Sequence, residues 1–236
     1  MLDIDSVSRI AASVEGWLSD AQGRALFEAA SRSTGRGVIV EIGSWKGRST
    51  VWLAHGARRA GQRVHAVDPH VDSREDPHAR TLDAFRASLL RAGVEGVVEA
   101  MVMTSAQASA TLHDPVELLF VDGDHSVDGA HADAEVWLPR VLPGGTVMFH
   151  DVATSGYRGP RRAFQRFVCR DSAFHRVRRV GSMAIAERTS RRTPSQALRA
   201  RLFDTFLYLY DVEGLLKRAL RRLRRVRLHP SAATSC

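Results

Sequence analysis

The amino-acid sequence predicts an α/β fold: a Rossmann-like domain on a seven-stranded, mostly parallel sheet that ends in an antiparallel hairpin. N-terminal helices precede it, and an amphipathic C-terminal helical tail follows. Three observations point there. Short apolar runs alternate with amphipathic segments from about residue 38 onward, the pattern of a parallel sheet covered on both faces. The first run passes into a glycine-containing turn, Gly43-Ser44-Trp45-Lys46-Gly47. The fourth and fifth runs end in acids and histidines, Asp122-Gly123-Asp124-His125 and His150-Asp151.

In order along the chain, an opening helical stretch includes a helix over residues 21–31, with Ser19 or Asp20 as its N-cap. The first strand covers residues 38–42, and a helix follows over 49–60. Strand two is expected at 63–67, a helix at 78–92 and strand three at 96–103. Strand four, 116–121, is introduced by Pro115 and closed by Asp122-Gly123. A helix over 127–138 leads through Pro143-Gly144-Gly145, a turn signal, into strand five at 146–149. Residues 161–168 read as a helix, and 174–180 and 182–186, separated by Gly181, as the hairpin. The chain thus divides into a helical cap (1–36), the sheet domain (37–188) and a tail (189–236).

Composition narrows the function classes. The 236 residues are 44% hydrophobic, enough for a sizeable core. Cys169 and Cys236 are too few for a disulfide framework, which suits a reducing cytoplasm. The start, MLDIDSVSRI, does not read as a signal peptide. No apolar run reaches the roughly 18–20 residues that cross a bilayer. The net charge of +8 is concentrated: residues 190–236 hold eleven bases against Asp204, Asp211 and Glu213, which leaves the body neutral. Any inference from basic charge therefore concerns the tail alone.

Ligands of open parallel sheets bind beyond the carboxyl ends of the strands, at the reversal of strand order. Gly43 and Gly47 permit a tight turn and close backbone approach there. A dinucleotide fingerprint starting at Gly43 would need glycine where Trp45 stands. S-adenosylmethionine (SAM) has no phosphate, and its carboxylate and ammonium could be held by the loop from Gly43 through Ser44 and Gly47 to Ser49 and by Glu41. Asp68, closing strand two, is placed to accept the ribose hydroxyls. Each feature has a plainer meaning, since glycine turns are common and an aspartate often caps a turn. Ser105, after strand three, could contact adenine or cap the next helix.

Neighbouring strands lie about 4.8 Å apart, so Asp122 and Asp151 can converge on one cation. Two carboxylates with water and substrate oxygens suit Mg²⁺, with Asp122 also within reach of the cofactor. Such an ion would lower the pKa of a substrate hydroxyl, and His150 or His125 could take its proton. His150 could instead be a further ligand. The bland alternative is that Asp122 only contacts the cofactor, Asp124 starts a helix, and the histidines are structural.

The stretches VEIGSWKGRSTVWLA, VHAVDPH, LLFVDGDHSVDGAHADAEVWLPRVLPGGTVMFHDV and GSMAIAER resemble the class I methyltransferases that include macrocin O-methyltransferase, rhamnosyl O-methyltransferases and cephalosporin-hydroxylase-like proteins. The resemblance spans about residues 15–188 and implies the seven-stranded fold and SAM as cofactor. Glu41, Gly43 and Asp68 match cofactor positions, and Asp122 and Asp151 match two magnesium ligands. Metal-dependent members often carry a second acid where this chain has His150. The implied acceptor is a sugar hydroxyl on a small molecule, glycolipid or polysaccharide.

Trp17 is a candidate lid or acceptor-stacking residue, or a core tryptophan. The polar loop 69–77, and Tyr157, Arg158 and Arg161, are placed to border the acceptor, although solvated loops would look the same. Residues 188–194 read as a polar linker. Beyond it, Leu198, Leu202, Phe206, Leu209, Leu216, Leu220, Leu223 and Val226 form an apolar stripe among arginines. That stripe could pack on the body or on a second subunit in a homo-oligomer, or dock on an anionic membrane. Nucleic acid is not an expected partner, because few aromatics accompany the charge.

Overall fold

The structure is a computed structural model that describes residues 1–71 and 81–228. Its centre is a seven-stranded sheet in the order β3-β2-β1-β4-β5-β7-β6. β1 (Val38–Ile42), β2 (Val64–Val67), β3 (Val98–Met101), β4 (Val116–Val121) and β5 (Val141–Phe149) are parallel. β7 (Met183–Arg188) runs antiparallel to β5, and β6 (Phe174–Val180) antiparallel to β7. This is the predicted sheet, terminal hairpin included. Its order reverses between β1 and β4, whose carboxyl ends open a crevice.

Period-two alternation sorts the core onto two faces. On β1, Ile39 joins the apolar cluster under α1 (Ile4–Ala12), α2 (Asp20–Ser31), α3 (Arg48–Arg59) and α4 (Thr81–Ala92). Val40 and Ile42 join the opposite cluster, under α5 (Ser105–Thr111), α6 (Val127–Trp137), α7 (Gly159–Phe164) and α8 (Pro194–Leu228). All six residues of β4 are buried, as a central strand covered on both faces requires. Ser19 caps α2 in a reciprocal box with Gln22. Gln22 Nε2 then reaches Ser182 Oγ at 2.9 Å, tying this cap to the hairpin turn.

Several boundaries differ from expectation. Pro143-Gly144-Gly145 is not a turn before β5 but lies inside it: Val141 pairs with Val116 and Thr146 with Leu118, so residues 142–145 bulge against a single residue of β4. β3 is shorter than expected because residues 95–97 form a 3₁₀ turn. The helix expected at 78–92 is seen from Thr81, residues 78–80 lying outside the described ones. The helix expected at 161–168 starts at Gly159, with Pro160 in its first turn, and closes in a π-helical turn, Gln165–Cys169.

The tail forms one helix, α8, but buries a different face from the one expected. Ala200 and Leu207 are buried, with Phe203, Phe206 and Tyr210 packed on the second core cluster. Of the predicted stripe only Phe206 takes part; Leu198, Leu202, Leu209, Leu216 and Leu220 are exposed, and the Leu223 and Val226 side chains lie outside the described ones. The aromatic rings fill the groove beside β6 and the π-helical turn, and they set the helix's rotation. The polar linker is also fastened to the body. Arg188 Nη1 donates to the carbonyls of Leu138, Pro139 and Val141, and Arg192 donates to those of Val168, Cys169 and Phe174.

Candidate active site

The turn after β1 is built by glycine geometry. Gly43 has φ +86°, and a Cβ there would lie 2.2 Å from the Asp122 carbonyl oxygen, so no larger residue fits. Gly47, at φ +93°, precedes α3. Between them Trp45 holds φ 42°, unusual for a side-chain-bearing residue. Its N–H donates to Asp68 Oδ2 at 2.8 Å, and the His70 N–H donates to Asp68 Oδ1 at 2.7 Å. The end of β2 therefore braces the turn of β1.

Glu41 departs from expectation. Instead of facing the crevice it is fully buried beneath the turn, accepting from Ser49 Oγ at 2.5 Å and Thr50 Oγ1 at 2.6 Å. Burial pushes its pKa up to about 8, against the opposing effect of the two hydroxyl donors. It supports the loop from below, and neither it nor Gly47 lines the cleft.

The acids and histidines of β4 and β5 do meet. Asp151 adopts φ +51°, a left-handed conformation that costs energy for a non-glycine residue. His150 Nδ1 lies 3.2 Å from Asp122 Oδ1 and 3.5 Å from Asp151 Oδ2. His125 Nε2 lies 3.3 Å from Asp151 Oδ2 and 3.6 Å from Asp122 Oδ1. Burial alone would lower the His150 pKa, but the two carboxylates prevail and push it up to about 10. They likewise raise His125 above its ordinary value against the effect of its burial. Asp151 is held well below the usual carboxylate range: burial raises it, and the paired imidazoles outweigh that.

Asp122, His125 and Asp151 each offer a donor atom within 4.8 Å of the others. The expected third donor was His150, which instead sits deeper, almost wholly buried behind the two acids. His125, on the loop after β4, is the histidine that groups with the two acids. Two carboxylates and an imidazole fit a divalent ion; Mg²⁺ prefers oxygen, and the imidazole also suits Mn²⁺ or Fe²⁺. Asp124 accepts from the Ser126 N–H and hydroxyl, each at 2.8 Å, and so organises the start of α6.

All these groups share a cleft of about 1180 Å³ at the carboxyl edge of the sheet. Gly43, Ser44, Ser49, Asp68, Ser105, Asp122, His125, His150 and Asp151 line it. Ser105 does not cap α5; Thr104 does. Ser105 Oγ instead accepts from Trp137 Nε1 at 2.8 Å. Sequence reasoning missed Arg48, Thr104 and Asp133, which also line the cleft. Asp133 lies on the inner face of α6, eleven residues past Asp122, and only the helix register could have flagged it.

The rim is aromatic. Trp17, 68% exposed, is not a core residue; it stacks on Trp45 at 4.8 Å between ring centroids. Lys46 Nζ lies 4.4 Å from the centroid of the Trp45 ring. Tyr157, also at the cleft, lies tilted against His125 with ring centroids 4.2 Å apart. Pro69 and Val71 border the cleft, whereas residues 72–77 of the same loop lie outside the described ones. Arg161 does not face an acceptor: it is buried and pairs with Asp211 at 2.7 Å.

This strand order is that of the Rossmann-like fold of class I methyltransferases. Residues 40–152 match a methyltransferase domain family. Over 119 residues the chain is 33% identical to catechol O-methyltransferase of Mycobacterium tuberculosis, a match covering 50% of this chain and 49% of that protein. The chain thus aligns with about half the length of this curated relative. Among solved structures, it resembles an O-methyltransferase from Bacillus cereus in complex with SAH, with a TM-score of 0.59 and 22% identity over 79% of this chain and 90% of that one. It also resembles the O-methyltransferase TomG from Streptomyces achromogenes, involved in tomaymycin synthesis and solved with SAM, with a TM-score of 0.59 and 22% identity over 80% and 92% of the two chains. At such identities these structures establish the shared fold.

Proposed function

We propose that this protein is a SAM-dependent O-methyltransferase, assisted by a divalent cation, that methylates a hydroxyl of a sugar or sugar-containing metabolite. One observation carries the reading: the Gly43–Gly47 turn and Asp68 open onto the same cleft as Asp122, His125 and Asp151. The methyltransferase-domain match supports it, and the relative's name supports oxygen as the methylated atom.

In this reading the backbone of the turn, with Ser44 and Ser49, holds the methionine portion of SAM. Asp68 takes the ribose hydroxyls and Ser105 lies by the adenine. Asp122, Asp151 and His125 would hold Mg²⁺, which would supply a lowered pKa at the acceptor hydroxyl and a fixed position for its oxygen. The oxygen attacks the sulfonium methyl carbon in line, and the C–S bond breaks with its electron pair going to sulfur. Methylated acceptor and S-adenosylhomocysteine result, with the hydroxyl proton released. The site's residues contribute proximity, orientation and an anionic surface matched to the cationic cofactor.

The His125–Asp151 pairing favours a second reading, without a metal. Neutral His125, the more exposed of the two histidines, takes the hydroxyl proton, and Asp151 stabilises the resulting imidazolium. His150, sandwiched between two carboxylates, is held protonated and is the poorer base. The test is S-adenosylhomocysteine release on a panel of sugar and catechol acceptors, with EDTA and with Mg²⁺ restored. Turnover of a sugar that EDTA abolishes and Mg²⁺ restores is the expected result. EDTA-resistant turnover moves the assignment to His125, and turnover of catechols alone removes the sugar.

A further inference from the structure

α8 carries two apolar faces, and only one is covered. At about 100° per residue, Leu198, Leu202, Leu209, Leu216 and Leu220 fall within an arc of about 40°. These five are 58–62% exposed. They lie opposite Ala200, Phe203 and Leu207, which meet the body. Past Gly214 the composition changes as well: residues 214–228 hold seven bases and no acid. Exposed leucines followed by a run of bases in one helix have the composition of an interfacial segment.

The position of this helix is fixed by the segment that borders the cleft. Asp211 meets Arg161 at 2.7 Å and Arg162 at 3.2 Å, and Lys217 Nζ reaches Ser155 Oγ at 3.0 Å. Those partners flank Tyr157, which lines the cleft. The basic half of α8 therefore continues from the contact it makes beside the rim of the active site.

We propose that the C-terminal half of α8 docks on an anionic lipid surface, its leucines inserted at the interface and its bases among the headgroups. Charge selects this occupant over a second copy of the chain. Seven-residue spacing of Leu202, Leu209 and Leu216 would also suit a coiled coil. A parallel copy, however, would set seven bases against seven. An antiparallel copy would find Asp204 and Asp211 already engaged by Arg170 and Arg161. An anionic membrane satisfies the leucines and the bases together.

The docking is independent of the reaction assigned to the cleft, and so is its test. The full chain is floated with vesicles of phosphatidylcholine, pure or containing one-quarter phosphatidylglycerol, at about 0.1 M and about 0.5 M salt. Binding to the anionic vesicles alone, lost at high salt, is expected. Leu216→Glu/Leu220→Glu and Arg221→Gln/Arg222→Gln should each weaken it by about tenfold or more, with the circular dichroism spectrum and melting temperature of the wild type retained. Equal binding to neutral vesicles, no vesicle binding, or unaffected variants would overturn the proposal. So would a dimer in sedimentation equilibrium, or a DNA duplex retained on the tail, in place of vesicle binding.

Discussion

The Trp45 N–H donates to Asp68 Oδ2 at 2.8 Å, so the residue that closes β2 also clamps the turn that follows β1. A single carboxylate thus serves the loop's shape and stands where the proposed ribose would lie. Asp68→Ala is expected to raise the Kd for SAM by at least about tenfold and to cost about 1.5–3 kcal/mol of stability, as the loss of hydrogen bonds to a charged group does. Calorimetric SAM titration and urea unfolding check the two effects separately. Unchanged affinity would remove Asp68 from the cofactor site.

Glu41 sets a pH dependence that runs opposite to that of a surface carboxylate. Folded, it titrates at about 8; unfolded, near its ordinary 4.5. Between those values the folded state binds a proton that the unfolded state does not. Its contribution to stability is therefore complete below about pH 4.5 and is lost as the pH rises through 8. Glu41→Gln cannot ionise, so the stability of the wild type relative to this variant should fall from pH 5 to pH 8, by up to about 1.4 kcal/mol per unit. Urea midpoints across that range measure it, and a constant difference would show that Glu41 ionises normally.

Asp151 combines a left-handed backbone with contacts to both histidines. In the proposed reaction Asp151→Ala loses about 10²-fold or more in kcat while SAM affinity stays within about twofold. Asp151→Asn, which tolerates the same backbone angle better than alanine, separates charge from strain. If the asparagine variant turns over like the wild type, the carboxylate has no part in the chemistry.

The pattern that made the fold legible is local: apolar runs of strand length, and glycines and aspartates at their carboxyl ends. Asp122 and Asp151 could be paired from sequence because adjacent parallel strands deliver their ends to one edge. Which histidine groups with them could not, since both follow those strands and only the path of the loop after β4 brings His125 into one group with both acids. Glu41 was misplaced for a similar reason. Alternation along β1 says which face it points to, but not that Ser49 and Thr50 would close over it. The rotation of α8 was equally hidden. Its leucines and its aromatics both recur at helical spacing, and the groove they fit is formed by segments distant in sequence.

The stacked pair Trp17–Trp45 and the ring of Tyr157 all line the cleft. If they grip the acceptor, Trp17→Ala and Tyr157→Ala raise its KM by about tenfold, as the loss of an aromatic stacking surface does, and leave SAM affinity unaltered. Trp17 lies outside the folded core, so its variant should melt with the wild type. Matching changes in KM and in the Kd for SAM would point to a general loosening of the cleft.

Two aspartates of α8, Asp211 and Asp204, pair with arginines of the body, and burial distinguishes them. The Arg161 side chain is 1% exposed and Asp211 12%, their atoms 2.7 Å apart, and the same guanidinium donates to the carbonyls of Thr154 and Tyr157. Arg170, the partner of Asp204, is 54% exposed. Removing Asp211 strands a cation out of water, so Asp211→Ala should cost about 3–5 kcal/mol and loosen the segment around Tyr157. Asp204→Ala removes a pair whose base is largely solvated and should cost only about 0–1 kcal/mol. Urea unfolding of the two variants side by side tests this. Equal losses would mean that α8 is held by its aromatic face, with Phe203, Phe206 and Tyr210 outweighing either charge.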